Sequence, residues 1–433
     1  MLNIKNIAQK FQENNKNLYI VGGFCREKVL NIKNSETDID FTTDALPEKV
    51  QKITKCIWHI WKKYGTQLLL YKWKTYEITT FRSDIGVLDN RKPVEIQFTT
   101  DINLDSKRRD FTCNAIYFDP LSEKYIDPQS WIPDLKNKII RFVGNPEKRI
   151  KEDALRILRF IRFKNKYSLS PAENNYFEII KNNIWLLKNI SPERIKDELD
   201  KILLWINNIQ ALKDLKKIWF FTVYLEELDK QSKTPWNAYH LEWDVWTHTL
   251  MTIEYLNSMK LSKNKTEKLD LYWTMLLHDY TKPICYSQDE KWEWHYYWHE
   301  KSGAELFKSH VSKQLPFSKK SIEKISWIIE NHLRIFKVFE MKTLKSRTLM
   351  IHKYWPDLMI IWEADHMWRL PANYNLIEKL HQFYNNFLKK LQKKIFYTGQ
   401  DIMKEFPHLE WAAIWNKLKE VNNKILIEDI INS

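Results

Sequence analysis

Two aspartates one residue apart, Asp38 and Asp40, carry the first chemistry that the chain offers. In an extended segment side chains alternate with a period of two, so this spacing turns both carboxylates to one strand face. Two anions side by side repel unless a cation sits between them, and hard oxygen ligands suit Mg²⁺ with a nucleoside triphosphate. A pair of such ions clamps an in-line phosphoryl displacement. The elements that must position the pair lie just upstream. Leu18 to Val21 is an apolar run that reads as a short strand and delivers Gly22 and Gly23 to a turn whose bare backbone approaches a phosphate closely. A helical stretch follows from near Arg26, and Glu77 is a candidate third carboxylate.

A second constellation occupies the back half. His248, the adjacent His278 and Asp279, His299, His332 and Asp365 each fall in a helical pattern. Imidazoles and carboxylates brought in from separate helices suit a first-row divalent ion or a pair of them.

At 433 residues the chain has room for roughly three domains of about 150 residues each. The net charge of +14, with a pI near 9.2, is spread along the chain. That distribution favours a polyanion engaged over a broad surface, nucleic acid first among them. Cys25, Cys56, Cys113 and Cys285 stand far apart with no Cys-x-x-Cys, which argues against a disulfide framework or a cysteine zinc site and for a reducing, cytoplasmic setting. Residues 1–17 lack a secretory apolar core, and no run approaches 18 apolar residues, so no membrane role is expected.

LYIVGGFCREKVLNIKNSETDIDF, residues 18–41, resembles motif A of the class II tRNA nucleotidyltransferase and poly(A) polymerase family. Glu27 stands where that family has aspartate, and the gap from Gly23 to Asp38 is longer than the family's. DSKRRDFTCNAIYFD, residues 105–119, is similar to motif B: Arg108 and Arg109 would offer forked donors to a triphosphate, Asp110 would accept a ribose 2′-hydroxyl, and Asn114 completes the motif. Residues 83–98, with Gly86 and Pro93, resemble the flexible loop that the family associates with adding the terminal A.

Residues 127–163 resemble motifs C and D. Asn145-Pro146 would start an amphipathic helix on which Asp153 and Arg156, three apart, share a face. A carboxylate can accept the exocyclic amine of cytosine or adenine while a guanidinium donates to the neighbouring ring nitrogen; guanine and uracil present the opposite pattern. In the family this is the EDxxR motif, here Glu152, Asp153 and Arg156, with Arg159 and Arg162 as further nucleotide-binding candidates. Residues 190–204 resemble motif E, a helix capped by Ser191 with Pro192 at its first position and Arg194 near a shared helical core, expected as a whole to support the nucleotide site from behind. The order His, His-Asp, His, His, Asp resembles the HD phosphohydrolase domain, with Thr281 where that family usually has glycine. The basic tail resembles the family's RNA-holding end, with Lys389, Lys390, Lys393 and Lys394 as RNA-binding candidates.

The resemblance implies an α+β fold: an N-terminal polymerase-beta-like nucleotidyltransferase head with a small mixed sheet, followed by an all-α body that includes an HD domain. The implied divisions are a head over 1–139, a helical neck over 140–233, an HD domain over 234–373 and a tRNA-binding tail over 374–433. The implied activity is template-independent addition of CCA to tRNA from CTP and ATP, with Mg²⁺ at Asp38 and Asp40, a divalent transition metal at the HD site, and a monomer or homodimer as the assembly. Poly(A) synthesis and partial CC- or A-only addition stay open, as does a phosphohydrolase with an RNA-binding front half. Whether the HD site hydrolyses or serves as a helical platform is also open.

Composition adds one further expectation. There are 20 Trp and 7 Gly, where average usage of about 7% would give about 30 Gly. Trp73, Trp131, Trp298, Trp411 and Trp415 sit where turn chemistry calls for glycine, and the family resemblance adds Trp61, Trp243 and Trp368. UGA codons that the source reads as glycine, translated here as tryptophan, would account for both numbers.

Overall fold

The computed structural model describes residues 2–32, 38–54, 58–61, 65–85, 95–205, 207–234, 244–290, 294–367, 374–391, 397–407 and 411–427. The chain divides into two compact units, Met1–Tyr224 and Leu225–Ser433.

In the first unit nine short strands precede the helical part: β1 (Leu18–Val21), β2 (Asp40–Thr43), β3 (Trp58–Trp61), β4 (Thr66–Tyr71), β5 (Lys74–Thr80), β6 (Arg82–Ile85), β7 (Glu95–Phe98), β8 (Tyr117–Asp119) and β9 (Lys124–Ile126). Seven form a mixed sheet in the order β3-β4-β5-β2-β1-β8-β9, and β6 pairs with β7. The β2–β5 pair is parallel and the other neighbours in the sheet are antiparallel. β4 and β5 form the hairpin that their alternating pattern predicts, with Tyr76, Ile78 and Thr80 buried and Glu77 on the open face. Register then places the chemistry: Val21 pairs with Asp40, and Asp40 with Glu77. Residues 86–94, including Gly86 and Pro93 of the expected loop, lie outside the described residues; its two ends are β6 and β7.

Two expectations for the helical part need correction. The stretch from Ile140 is not wholly helical, because β10 (Ile139–Ile140) pairs in parallel with β11 (Ser170–Pro171). Asp153 and Arg156 do not share one helix either. Asn145 caps the helix Pro146–Glu152 through Lys148 N–H, at 2.9 Å, but the helix stops at Glu152 and Asp153 is extended, with φ −149° and ψ 102°. Its carboxylate accepts Leu155 N–H at 3.2 Å, the local side-chain bond that competes with helix, and a new helix runs Arg156–Lys166. That helix buries Phe160 and Phe163 against Phe111 and Phe142, with Phe111 and Phe142 ring centres 4.9 Å apart. Each such ring contributes about 1.5–3 kcal/mol by burial, so the cluster fixes the arginine-bearing helix against the motif B segment.

The second unit is helical apart from a small hairpin, β12 (Tyr286–Gln288) with β13 (Trp294–Tyr296). Helices Val245–Ser258, Lys265–Leu277, His299–Leu306, Lys319–Asn331 and Trp355–His366 surround its core, and Asn264 and Glu267 form a capping box at the second of them. Further helices run Tyr374–Leu391, Gly399–Glu405 and Trp411–Ile427. Among the described residues no helix is long and apolar enough to cross a membrane.

Candidate nucleotide site and metal centre

Asp40 opens β2 on the solvent face, beside the turn at Gly22. Gly22 has φ +75°, a conformation that glycine adopts without strain, and a Cβ there would come 3.8 Å from Asp40 Oδ2. Asp38 lies before the strand rather than within it, because β2 begins at Asp40; its side chain is exposed. The Asp40 carboxyl is pushed up to about 6, first because the protein packed around the strand end displaces water from the charged form, then because Glu77 and Asp38 repel it. Arg109 and Arg26 oppose the rise. A carboxyl repelled by two others, at the mouth of a glycine turn, suits a divalent ion.

The helix after the turn is Gly23–Val29, three residues earlier than the expected start at Arg26. Arg26 is buried. One Nη donates to Asn114 Oδ1 and the other to the Tyr167 hydroxyl at 3.0 Å, while its guanidinium lies 4.6 and 4.7 Å from the ring centres of Phe163 and Tyr167. With both ends engaged, it brings charge rather than free forked donors. Glu27, the departure from the family's aspartate, accepts from Tyr167 Oη at 2.6 Å and from Lys166 Nζ at 3.0 Å. The extra methylene thus reaches the far end of the arginine-bearing helix.

In motif B the two arginines meet one carboxylate. Asp105 Oδ1 takes Arg108 and Oδ2 takes Arg109, with ion-pair distances of 2.7 and 2.8 Å. Asp110, offered as a ribose acceptor, is already engaged: Oδ1 accepts from Phe111 N–H at 2.8 Å and Asn114 Nδ2 at 2.9 Å, and Oδ2 accepts from Arg159 Nε at 2.7 Å. Burial alone would raise its carboxyl, but Arg159 and Asn114 hold it well below the usual carboxylate range. Arg162 pairs with Glu198 at 2.7 Å.

Asp153 and Arg156 are each held by someone else. Asp153 Oδ2 receives Arg194 Nη2 at 2.9 Å, and Arg156 Nη1 reaches Glu152 at 2.8 Å and the Arg149 carbonyl at 2.7 Å. Arg156 Nη2 also donates to the carbonyl of Arg108 at 3.3 Å, which ties motif D to motif B. Of the tail lysines, Lys389 is exposed on its helix; the side chain of Lys390 and all of Lys393 and Lys394 lie outside the described residues.

In the second unit all six expected ligands are buried and converge. They sit less uniformly in helices than expected: His248 and Asp365 are helical, but His278 and His332 cap helix ends, His299 begins a helix and Asp279 lies in the following turn. Two groups result, His248–His278–Asp365 and Asp279–His299–His332, each with ligand atoms within 4.8 Å of one another. Asp279 spans them. Its Oδ2 lies 3.2 Å from His278 Nε2 and 3.8 Å from His248 Nε2; its Oδ1 lies 3.3 Å from His299 Nε2 and 3.8 Å from His332 Nε2. His278, His299 and His332 direct Nδ1 at the carbonyls of Met275, Tyr296 and Ile329, at 2.7, 2.7 and 2.6 Å. Donation there leaves each Nε2 lone pair facing the centre, and none of these Nε2 atoms makes a hydrogen bond among the described residues. Burial, reinforced by His299 and His278, pushes His332 down to about 3, the neutral form a metal requires. Burial would raise Asp279, but His278 and Lys282 hold it well below the usual range. Thr281 causes no turn strain: its φ is −98°, and its hydroxyl donates to the His299 carbonyl at 2.7 Å.

Asp105, Tyr117, Tyr167 and Glu198 are participants that residue patterns missed. Asp105 was detectable as an i,i+4 partner of Arg109; Tyr167, 140 residues from Glu27, had no local signal.

The chain matches the family model for the poly A polymerase head domain over residues 18–141, a probable RNA- and SrmB-binding site of polymerase A over 173–231, and the HD domain over 245–352. It is 34% identical over 280 residues to a CCA-adding enzyme of Staphylococcus haemolyticus, a match spanning 63% of this chain and 68% of that one. A Lactobacillus helveticus CCA-adding enzyme is 39% identical over 207 residues, 48% of this chain and 51% of its own. The fold resembles that of the Bacillus stearothermophilus CCA-adding enzyme solved with CTP, at TM-score 0.67 and 22% identity over 99% of this chain and 93% of that one. It also resembles the Thermotoga maritima CCA-adding enzyme solved with tRNA, at TM-score 0.59 and 18% identity, covering 99% and 94%. A polymerase-beta-like head, a helical body and an HD domain in this order, with a third of the residues shared across two thirds of a curated relative, make this chain a member of the CCA-adding enzyme family.

Proposed function

We propose that the protein adds the 3′-terminal CCA to tRNA from CTP and ATP without a nucleic-acid template. The observation that carries this reading is the register pairing of Asp40 with Glu77 on the open face of the sheet, with Asp38 just ahead of the strand close enough to repel Asp40 and with Arg109 and Arg26 nearby. Mg²⁺ held by Asp38 and Asp40 would supply charge stabilisation to the α-phosphate and an acidified tRNA 3′-hydroxyl. Arg108 and Arg109 bind the triphosphate and favour departure of pyrophosphate. Asp153 accepts the amine of cytosine or adenine and Arg156 donates to the adjacent ring nitrogen; Arg194 and Glu152 hold the two side chains in place. A tRNA lacking its 3′ end, offered CTP and ATP, tests this. Incorporation of ATP alone would mean poly(A) or A-only addition, and failure to incorporate CTP would exclude the reading.

A second reading concerns the HD centre, where three buried Nε2 lone pairs and a spanning Asp279 favour two divalent transition-metal ions and phosphoester hydrolysis. Asp279→Ala should abolish phosphodiesterase activity and leave nucleotide addition; Asp40→Ala should do the reverse.

A further inference from the structure

We propose that Asp105 is the positioning residue for the nucleotide triphosphate, holding Arg108 and Arg109 as one rigid, net-cationic receptor. The carboxylate is 0% exposed and fully committed. Its Oδ1 accepts from Arg108 Nε at 2.8 Å and, at 3.4 Å, from the backbone N–H of Arg82 at the base of β6. Its Oδ2 accepts from Arg109 Nη2 at 2.8 Å and from the Tyr117 hydroxyl at 2.7 Å. One buried anion between two guanidiniums leaves the three side chains with a net charge of +1, and both arginine side chains keep a partly open edge. Such a cluster is completed by an anion from outside. Without Asp105 the two cations repel and their forks lose their common orientation.

This rests on the nucleotidyl-transfer reading, so the test uses direct binding of inorganic tripolyphosphate as well as turnover. In folded Asp105→Asn, tripolyphosphate affinity falls about tenfold, and KM rises about tenfold for CTP and ATP alike with their ratio unchanged. Tyr117→Phe, which removes one neutral partner, shows the same effect at a few-fold and serves if Asp105→Asn does not fold. Unchanged tripolyphosphate affinity in either folded variant overturns the proposal. Absence of CTP transfer by the unaltered enzyme, with tripolyphosphate binding intact, counts against the transfer reading alone.

A separate observation concerns three tryptophans with left-handed backbone. Trp73, Trp219 and Trp298 have φ of 64°, 64° and 66°, and they are 97%, 47% and 68% exposed. Ten non-glycine residues among those described have positive φ; three are Trp, a type that supplies 20 of 433 residues. Each holds a place with its own demand for glycine. Lys72 and Trp73 form the two-residue turn of the β4–β5 hairpin with both φ positive, where glycine is favoured second. Trp219 follows the C-cap Ile218 of the helix Asn208–Lys217, the position at which helices end in left-handed glycine. Trp298 is the left-handed N-cap of the helix His299–Leu306 and makes no side-chain capping bond. Trp131 (φ −96°) and the helical Trp415 show no such demand; the side chains of Trp61 and Trp411, and all of Trp243 and Trp368, lie outside the described residues.

We infer that residues 73, 219 and 298 are glycine in the natural protein, encoded by UGA read as glycine. The coding sequence should show UGA at all three, and peptides of the native protein should carry glycine masses there. UGG at these codons, or tryptophan masses, overturns the inference. As a physical check, Trp→Gly at each of the three raises Tm of the protein as written, by roughly a tenfold change in the folding equilibrium, whereas Trp273→Gly, which empties a core position, lowers it.

Discussion

The Asp153 carboxylate pairs with the Arg194 guanidinium and not with that of Arg156, which meets Asp153 only through its backbone N–H: the 2.9 Å contact joins the break between two helices to a third helix 41 residues later. If Asp153 and Arg156 read the base as proposed, Arg194 is the residue that holds Asp153 for that task. Arg194→Met should lower kcat/KM for both CTP and ATP about tenfold and raise relative UTP incorporation, since a charge-assisted hydrogen bond contributes about 1.5–3 kcal/mol. Single-nucleotide incorporation with each of the four triphosphates measures this.

Asp105 also sets a pH dependence of stability. Burial would raise its carboxyl, but Arg108 and Arg109, helped by Tyr117, hold it well below the ordinary 3.8. A carboxyl depressed in the folded state stabilises above its unfolded value and loses that contribution as pH falls towards the folded one. The Tm gap between the unaltered protein and Asp105→Asn should be widest near pH 7 and shrink below about pH 4. A gap that widens on acidification would contradict this assignment.

Glu27→Asp, which restores the family's residue, should destabilise this protein. The shorter side chain falls away from Tyr167 and Lys166, and the loss of these buried bonds costs about 2 kcal/mol in urea unfolding. Tyr167→Phe in the Glu27→Asp background should add little, because the pair acts as a unit.

The HD centre should be loaded with about two equivalents of divalent transition metal per chain, and His299→Ala should leave about one. Removal of the metal by a chelator should lower Tm, since at free metal a hundredfold above Kd the linkage amounts to about 2.7 kcal/mol. Metal content by elemental analysis and Tm with and without chelator check both halves.

Much of the chemistry was legible because it is local. The glycine turn and the alternation that turns Glu77 away from the core each use a short-range pattern, whereas the Asp-x-Asp spacing predicts a shared strand face that β2, starting only at Asp40, does not give; the six HD residues follow from helical patterns together with the order His, His-Asp, His, His, Asp. The break at Asp153 was hidden because helical spacing of apolar residues continues through it, while a side-chain bond to Leu155 N–H decides against the helix. The engagement of Asp110 by Arg159, and of Glu27 by Tyr167, depends on contacts 49 and 140 residues apart that no periodicity encodes. Likewise, composition raised the glycine question, but only backbone dihedrals separate Trp73, Trp219 and Trp298 from Trp131.

The most direct test follows labelled CTP into a tRNA that ends before its CCA, using the unaltered protein, Asp40→Asn and Asp279→Ala. The unaltered protein and Asp279→Ala should each add two C residues and then accept A from ATP, and Asp40→Asn should add nothing above background. CTP transfer by Asp40→Asn at the unaltered rate, or its loss in a folded Asp279→Ala, would contradict the assignment of nucleotide addition to the carboxylates of β2 and its neighbours.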